Sequence, residues 1–522
     1  MKSARVLFLT IVVLLACEQP RQKTKPNHQY LEEITIPQLQ VGYQKSTFTI
    51  EQVVKDYLQR IEDLDKNGPA LNSIIYINPR AVEIARTLDA ELQAGKSRGL
   101  LHGIPVIIKD NLNTADMPTT AGATVLRDSY PPDDSFLVKK LRDAGAVIIA
   151  KANLSEWANF RADMSSSGWS GMLGQTKNPY VLDRNPCGSS SGSGVAAAAN
   201  LCAIAIGTET NGSIVCPSNA NGLVGLKPTV GLLSRSGIIP ISFTQDTAGP
   251  MGRTVTDVAI TLGALVGVDS LDEKTLASAG KYKSNYTSHL KADGLKGKRI
   301  GWLKNVSGYH AAVDTLMKKA VADIRTQGAE VVEIDFTMER GTGGNSFTVL
   351  LYEFKDGLIK YFASLGDKAR VHNLAELMEF NKKDTIELKY FDQQLLKLAH
   401  EKGTLQDKEY LDALANMQKA TRENGIDKLL KENNLHALMA PTGAPAWKTD
   451  LIDGDHFLGG SSSLAAISGY PSITVPMGFA DVLPVGVSFF STAWQEAILI
   501  EIAYGYEQAT KHRKAPTFIV SK

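Results

Sequence analysis

Three short segments carry residue types whose spacing could do hydrolytic chemistry. The first is Gly103-Ile-Pro-Val-Ile-Ile-Lys109-Asp110-Asn111. Lys109 follows an apolar run directly, so its ammonium must either reach out to solvent or lose its charge on burial. A neutral lysine is a usable general base; on this segment alone, a solvent-exposed strand-end lysine is the simpler reading. The second segment is Cys187-Gly188-Ser189-Ser190-Ser191-Gly192-Ser193-Gly194. A phosphate loop would need a Gly-Lys-Ser/Thr ending, which this segment lacks. Gly188 to Gly192 fits the G-x-S-x-G nucleophile elbow with Ser190 at its centre, but that motif needs a preceding strand. The preceding residues, Leu182-Asp-Arg-Asn-Pro186, form a turn sequence instead. A serine-rich loop entering a helix near Gly194, with hydroxyls and backbone N–H groups aimed at a site, accounts better for the run. The third segment is Gly207-Thr-Glu-Thr210-Asn211-Gly212-Ser213-Ile-Val-Cys-Pro217. Gly207 and Gly212 permit a tight turn ahead of Ser213. The N–H groups of Thr210, Asn211, Gly212 and Ser213 could form an oxyanion hole, in which each donor contributes about 3–4 kcal/mol to the transition state. A glycine-bearing surface turn fits the third segment equally well.

In order and spacing these segments together resemble the amidase signature hydrolases. The resemblance runs from about Thr49 to the C-terminus and is most specific from Lys109 through Gly222-Leu-Val-Gly-Leu-Lys-Pro-Thr229. It implies a Ser-cisSer-Lys triad in which Ser213 is the nucleophile, Ser189 is held after a cis peptide bond and Lys109 is the base. Residues 210–213 would bind the oxyanion. It also implies an α/β fold: one large domain with a mixed central β-sheet covered by helices on both faces, working without cofactor or metal. The implied reaction cleaves a carboxamide to carboxylate and ammonia or amine through an acyl-enzyme. Cys187 stands where the family often has glycine, and Asn211 where glycine or aspartate is usual; asparagine tolerates left-handed backbone angles. Val215 stands where tRNA-amidating members usually carry arginine. By contrast, Ser167-Gly-Trp-Ser-Gly171, Gly174-Gln-Thr-Lys-Asn-Pro-Tyr180 and Ser213-Ile-Val-Cys-Pro217 look like the peptide amidase branch, whose members remove the amide from C-terminally amidated peptides. Two other readings stay open. One is a histidine-dependent α/β-hydrolase esterase using Ser190 with His436 or His456. The other is a non-catalytic surface binding lipoprotein.

The elements that must position these residues are legible in the hydrophobic pattern. Thr49 to Lys66 has Val53, Val54, Tyr57, Leu58 and Ile61 at helical spacing, and a second helix is expected from about Pro79 to Ala94. Ile104–Ile108 and Val147–Ala150 read as buried strands around a helix from Ser135 to Ala144, an alternation that argues for a covered α/β sheet. Ser165 to Gly252 is rich in Gly, Ser, Asn and Pro, yet it contains apolar runs and no charged tract. It is read as the core of the active site rather than a linker. Further strands are expected at 299–303, 330–334, 437–440, 472–475 and 485–488, with helices at 311–327 and 493–511. A mostly helical insertion is expected near 345–433 within an amidase domain spanning 46–520. Ser461-Ser462-Ser463 is placed as a cap on the helix leading to Gly469. Pro441-Thr442 and Gly469 to Ser472 are candidates for lining the acyl or leaving-group pocket. Asp246 to Asp257 is read as structural.

The first residues read as an export signal. Lys2 and Arg5 precede an apolar run from Val6 to Leu15 that is too short to span a bilayer. Ala16 before Cys17 resembles a bacterial lipobox. This implies a signal peptide over 1–16, a lipidated Cys17 and a flexible tether over 17–45; an ordinary signal peptide is the alternative. The protein is therefore expected to be exported, facing the periplasm or the cell exterior and touching a membrane only through that anchor. Cys187, Cys202 and Cys216 are read as small buried hydrophobes, and no Cys/His cluster has metal-ligand spacing. With a formal net charge of +1, no global field points to nucleic acid. The expected partner is a small-molecule or peptide amide.

Overall fold

The computed structural model describes residues 28–521; Cys17 and the expected signal segment lie outside the described residues. Its strands, in chain order, are β1 (Ile74–Ile77), β2 (Pro105–Lys109), β3 (Val147–Ala152), β4 (Trp169–Ser170), β5 (Gly174–Gln175), β6 (Ile204–Glu209) and β7 (Val224–Lys227). They continue as β8 (Thr247–Gly252), β9 (Arg299–Leu303), β10 (Glu330–Ile334), β11 (Ala437–Pro441), β12 (Ser472–Ala480) and β13 (Leu483–Phe490). Eleven of them form one sheet in the order β1-β3-β2-β6-β8-β7-β12-β13-β11-β9-β10, while β4 and β5 form a separate ribbon. β3-β2-β6 and β11-β9-β10 are parallel and the remaining pairs antiparallel, so the sheet is mixed as expected. Every residue of β2, β3, β6, β7, β8, β11 and β13 is buried. Successive strand side chains point to opposite faces, so burial of all of them means both faces are covered.

The glycine- and serine-rich middle of the chain lies at the centre of the fold. The helix Ser191–Ala198 is buried along its whole length. A Cβ on Gly192 would lie 2.4 Å from the Ser73 carbonyl oxygen and 2.6 Å from the Asn153 nitrogen, so only glycine allows this approach to the neighbouring chain. This helix starts three residues earlier than the sequence pattern suggested, because small polar residues carry no periodic apolar signal.

The helical insertion is present as Thr342–Ser364, Leu374–Lys383, Gln394–His400, Lys408–Thr421 and Asp427–Glu432. Its first helix buries Phe354, Leu358 and Phe362 in a cluster with Trp157, Phe160, Ile239 and Ile241, and so packs over the segments that flank the site.

The folded body begins before residue 46, a correction to the tether expected over 17–45. A helix spans Ile36–Gln44, with Thr35 and Gln38 forming a reciprocal capping box. Leu31, Ile36 and Leu39 are fully buried. Pro37 sits in the first helical turn, where proline's missing N–H costs nothing.

Candidate active site

Lys109 ends β2, and the register pairs Ile108 with Ile206 of parallel β6, so Lys109 and Thr208 emerge at the same ends of neighbouring strands. Ligands of open α/β sheets gather at such carboxyl ends. Lys109 is fully buried. Its Nζ lies 2.8 Å from Ser189 Oγ, 2.9 Å from Thr208 Oγ1 and 3.4 Å from the Thr208 carbonyl oxygen. Burial lowers its pKa from 10.5 to about 7, against the opposing pull of the Asp246 and Glu209 charges. A neutral amine has two N–H donors and one lone pair. Thr208 offers acceptors for both donors, which leaves the lone pair for the Ser189 hydroxyl. Asn111 Nδ2 donates to the same Thr208 Oγ1 at 3.0 Å and fixes its role as an acceptor.

Two other buried lysines are wired differently. Lys151 Nζ is 3.2 Å from the Asp110 carboxylate and donates to the Leu112 carbonyl at 2.7 Å and to Thr119 Oγ1 at 2.9 Å. It thereby ties down the turn that follows Lys109. Lys227 donates to the Pro228 carbonyl at 3.1 Å. Among these three, only Lys109 meets a serine hydroxyl.

Ser189 follows a cis Gly188–Ser189 peptide bond, and its carbonyl accepts the Ser155 N–H at 3.0 Å. The backbone of the two serine-bearing turns is joined by Ser190 N–H donating to the Ser213 carbonyl at 3.2 Å. Ser213 is partly exposed, whereas Ser189 is buried. Gly212 has φ +87°, a left-handed angle that glycine adopts without penalty. The N–H groups of Asn211, Gly212 and Ser213 donate to no acceptor among the described residues. Glu209 Oε2 accepts the N–H groups of Ile214 at 2.8 Å and Val215 at 3.0 Å, holding the first turn of the helix behind Ser213. Thr210 Oγ1 donates to Asp246 Oδ1 at 2.6 Å, and Ser462 Oγ donates to Asn211 Oδ1 at 2.8 Å.

A cavity of about 840 Å³ borders the Lys109 neighbours Asn111 and Thr208 and the expected oxyanion residue Thr210, while Lys109, Ser189 and Ser213 are not among its lining residues. It is lined by Asn111, Thr208, Thr210 and Asp246, by the apolar stretch Ile238–Ile241 with Phe243, and by Gly357, Lys360 and Tyr361 of the insertion. Arg235, paired with Asp272, adds charge. Asp246 thus both lines the cavity and holds Thr210, a role beyond the structural one expected of its segment. The expected lining residues Pro441, Thr442 and Gly469 to Ser472 do not border this cavity. Thr442 Oγ1 instead shares hydrogen bonds with Thr474 Oγ1 at 2.6 Å and Ser488 Oγ at 2.9 Å inside the sheet.

The histidine-dependent alternative fails on geometry. Ser190 is fully buried, its Oγ donating to the Thr208 carbonyl at 2.9 Å and accepting the Thr208 N–H at 3.1 Å. His436 Nδ1 accepts the Arg299 N–H at 3.0 Å, and His456 is exposed beside Asp450 at 3.1 Å. Neither imidazole is bonded to Ser190. The cysteine reading is also corrected: Cys187 and Cys216 form a disulfide with Cα atoms 6.0 Å apart, and among the described residues Cys202 is the buried free thiol. Their separation of 29 residues encodes no pairing; the fold brings the two turns together. No group of three or more His, Cys, Asp or Glu residues suited to a metal ion occurs among the described residues. Thr208, Asn111 and the cavity-lining insertion helix escaped sequence reasoning. A threonine inside an apolar strand and an insertion far along the chain carry no local signal of this role.

A family model for amidases matches residues 52–500, and the chain belongs to the amidase family. It is 39% identical, over 94% of its length and 92% of the relative's, to an Arabidopsis thaliana protein named as an amidase. Among solved structures, the peptide amidase PAM in complex with the inhibitor chymostatin matches with a TM-score of 0.91 at 48% identity, covering 93% of this chain and 99% of that one. Native peptide amidase from Stenotrophomonas maltophilia matches with a TM-score of 0.89 at 47% identity, covering 93% and 99%. The protein is an amide hydrolase with the amidase signature fold.

Proposed function

We propose that this amidase works through Ser213 as nucleophile, Ser189 as proton relay and Lys109 as base, acting on carboxamides of C-terminally amidated peptides. The observation that carries the reading is the buried Lys109 Nζ held 2.8 Å from Ser189 Oγ, with a pKa of about 7. Neutral Lys109 accepts the Ser189 proton while Ser189 accepts that of Ser213. The Ser213 oxygen bonds to the amide carbon, and the resulting oxyanion takes hydrogen bonds from the backbone of residues 210–213. The proton returns through Ser189 to the nitrogen, the C–N bond breaks and ammonia leaves. Water, deprotonated along the same path, then attacks the acyl-enzyme ester and releases the carboxylate and Ser213. Histidine has no part in the cycle; the nucleophile, relay and base order replaces the triad of other serine hydrolases.

The peptide preference rests on the peptide amidase-like motifs and on the 48% identity to PAM. The reading also includes export as a lipoprotein anchored at Cys17. The Cys187–Cys216 bond supports that reading, because disulfides persist chiefly in oxidising compartments.

An ammonia-release screen over peptide amides, acyl amides and free amino-acid amides tests the substrate reading. Peptide amides are expected to lead, and a preference for acyl amides overturns it. Ser213→Ala, Ser189→Ala and Lys109→Ala are each expected to lose turnover by orders of magnitude, and full activity of Ser213→Ala refutes the assignment. Cys17→Ser is expected to move the protein from the membrane to the soluble fraction, and an unchanged distribution refutes the anchor.

A further inference from the structure

We infer that the Cys187–Cys216 disulfide is a positioning element of the catalytic centre, so that its reduction lowers turnover while the fold stays intact. The inference rests on the assignment of Ser189 and Ser213 to the triad. Cys187 lies two residues before Ser189, and Cys216 three residues after Ser213. The bond therefore ties the relay's turn to the nucleophile's turn. The Cys216 N–H also donates to the Gly212 carbonyl at 2.7 Å, so the sulfur bridge bears on the peptide next to the oxyanion donors.

Other links between these turns are few. Ser190 N–H donates to the Ser213 carbonyl at 3.2 Å, and Asn221 Nδ2 donates to the Pro186 carbonyl at 2.9 Å. Cys187 is held at φ +58°, a left-handed angle that glycine would adopt without penalty and that a residue with a Cβ resists. Cysteine at this position is therefore explained by its sulfur, not by its backbone preference. With the bridge cut, the residue is free to leave that conformation and to carry Gly188 and Ser189 with it. Misplacement of reacting groups by about 1 Å costs on the order of a hundredfold in rate. The bridge is also reachable: Cys187 is buried in a cluster with Tyr180, Val181 and Trp447, but Cys216 is only partly covered.

The chemistry is a thiol–disulfide exchange with a small dithiol. The dithiol loses two electrons and two protons to become a disulfide, the Cys187–Cys216 bond breaks, and each sulfur leaves as a thiol.

The test uses the full-length purified protein with dithiothreitol as probe. Mass spectrometry after alkylation reports the two released thiols, circular dichroism reports the fold, and kcat and KM are read on an amidated dipeptide. Expected is a fall in kcat of about tenfold or more, with KM within about threefold, native dichroism, and recovery on reoxidation. The paired variant Cys187→Ser with Cys216→Ser is expected to reproduce the fall. Cys187→Gly, which adopts the left-handed angle without penalty but leaves no bridge, is expected to be less slow than the paired serine variant and still slower than wild type. Unchanged kcat in fully reduced, folded enzyme overturns the inference, as does full activity of Cys187→Gly. Labelling by a fluorophosphonate separates this failure from failure of the triad. A label that maps away from Ser213 in oxidised enzyme removes the triad assignment. A label on Ser213 that forms equally fast in oxidised and reduced enzyme removes only the positioning role.

Discussion

If Lys109 is the base, turnover should follow the population of its neutral form. Burial brings its pKa to about 7. Half of the folded molecules then carry the neutral amine at that pH, about a tenth of them one unit below, and about a hundredth two units below. The expected kcat/KM therefore rises about tenfold per pH unit between roughly pH 5 and 6.5 and levels off above about pH 8. Lys109→Ala removes the lone pair that faces Ser189, and general-base loss of this kind costs about 10²–10⁴ in rate. The residual activity should also lose the inflection near neutrality. Lys109→Arg is expected to be no better, because a guanidinium stays charged throughout this range. The assay is continuous ammonia release from an amidated dipeptide in buffers of constant ionic strength, with enzyme preincubated at each pH and reassayed at a single pH. A flat wild-type profile from pH 5 to 8, or a Lys109→Ala enzyme within about tenfold of wild type, would refute the reasoning.

Other outcomes follow from the same geometry. Ser190→Ala should retain turnover but lower the denaturant midpoint, since it leaves the Thr208 N–H without its buried partner at a cost of about 1–3 kcal/mol; loss of acylation in a folded Ser190→Ala enzyme would restore the elbow reading. Gly212→Ala places a Cβ 3.1 Å from Ser462 Oγ at a φ of +87°. It should lower kcat by about 10²–10³ by misaiming the oxyanion donors, with KM little changed. Glu209→Ala strips the acceptor from the Ile214 and Val215 N–H groups. It should slow fluorophosphonate labelling of Ser213, which can be followed by mass spectrometry. Lys109→Met should be more stable than wild type at low pH. With a folded pKa of about 7 against an ordinary 10.5, the unfolded wild-type chain binds more protons between those values, so wild-type stability rises with pH across that window. Below about pH 7 the buried cation costs on the order of 5 kcal/mol relative to high pH. The variant's advantage in urea midpoint should be largest near pH 6 and shrink toward pH 10, and a constant difference would contradict a depressed pKa.

Much of this molecule could be read along the chain. The alternating apolar runs around Ile104–Ile108 and Val147–Ala150 emerged as the parallel strands β2 and β3, and the stretch Ser165 to Gly252, read as the core of the active site rather than a linker, holds the buried helix Ser191–Ala198 and the short helix Val215–Ala220. Lys109, Ser189 and Ser213 take their roles from the resemblance to the amidase signature hydrolases, since each segment alone leaves a bland reading open; the structure brings Lys109 to Ser189 and the Ser189 turn to the Ser213 turn. Boundaries were weaker where polarity hid packing. The helix Ile36–Gln44 lies inside an expected tether, because the capping by Thr35 and Gln38 and the burial of Ile36 and Leu39 depend on tertiary packing that a nine-residue segment does not advertise.

Local sequence determined the chemistry on offer: a lysine behind an apolar strand, serines in glycine-rich turns, and a turn able to present consecutive N–H groups. Tertiary structure alone decided which of those offers is usable. Whether Lys109 is a surface cation or a neutral base depends on burial and on the absence of a bonded carboxylate such as the one Asp110 provides to Lys151. Ser190 was a formal nucleophile until both of its hydrogen-bonding roles proved to be taken by β6. The cysteines 29 residues apart became a bridge only because the fold stacks their turns. Charge state, hydrogen-bond occupancy and covalent pairing all depend on what lies within a few ångströms in space, and neighbours on a chain do not specify that.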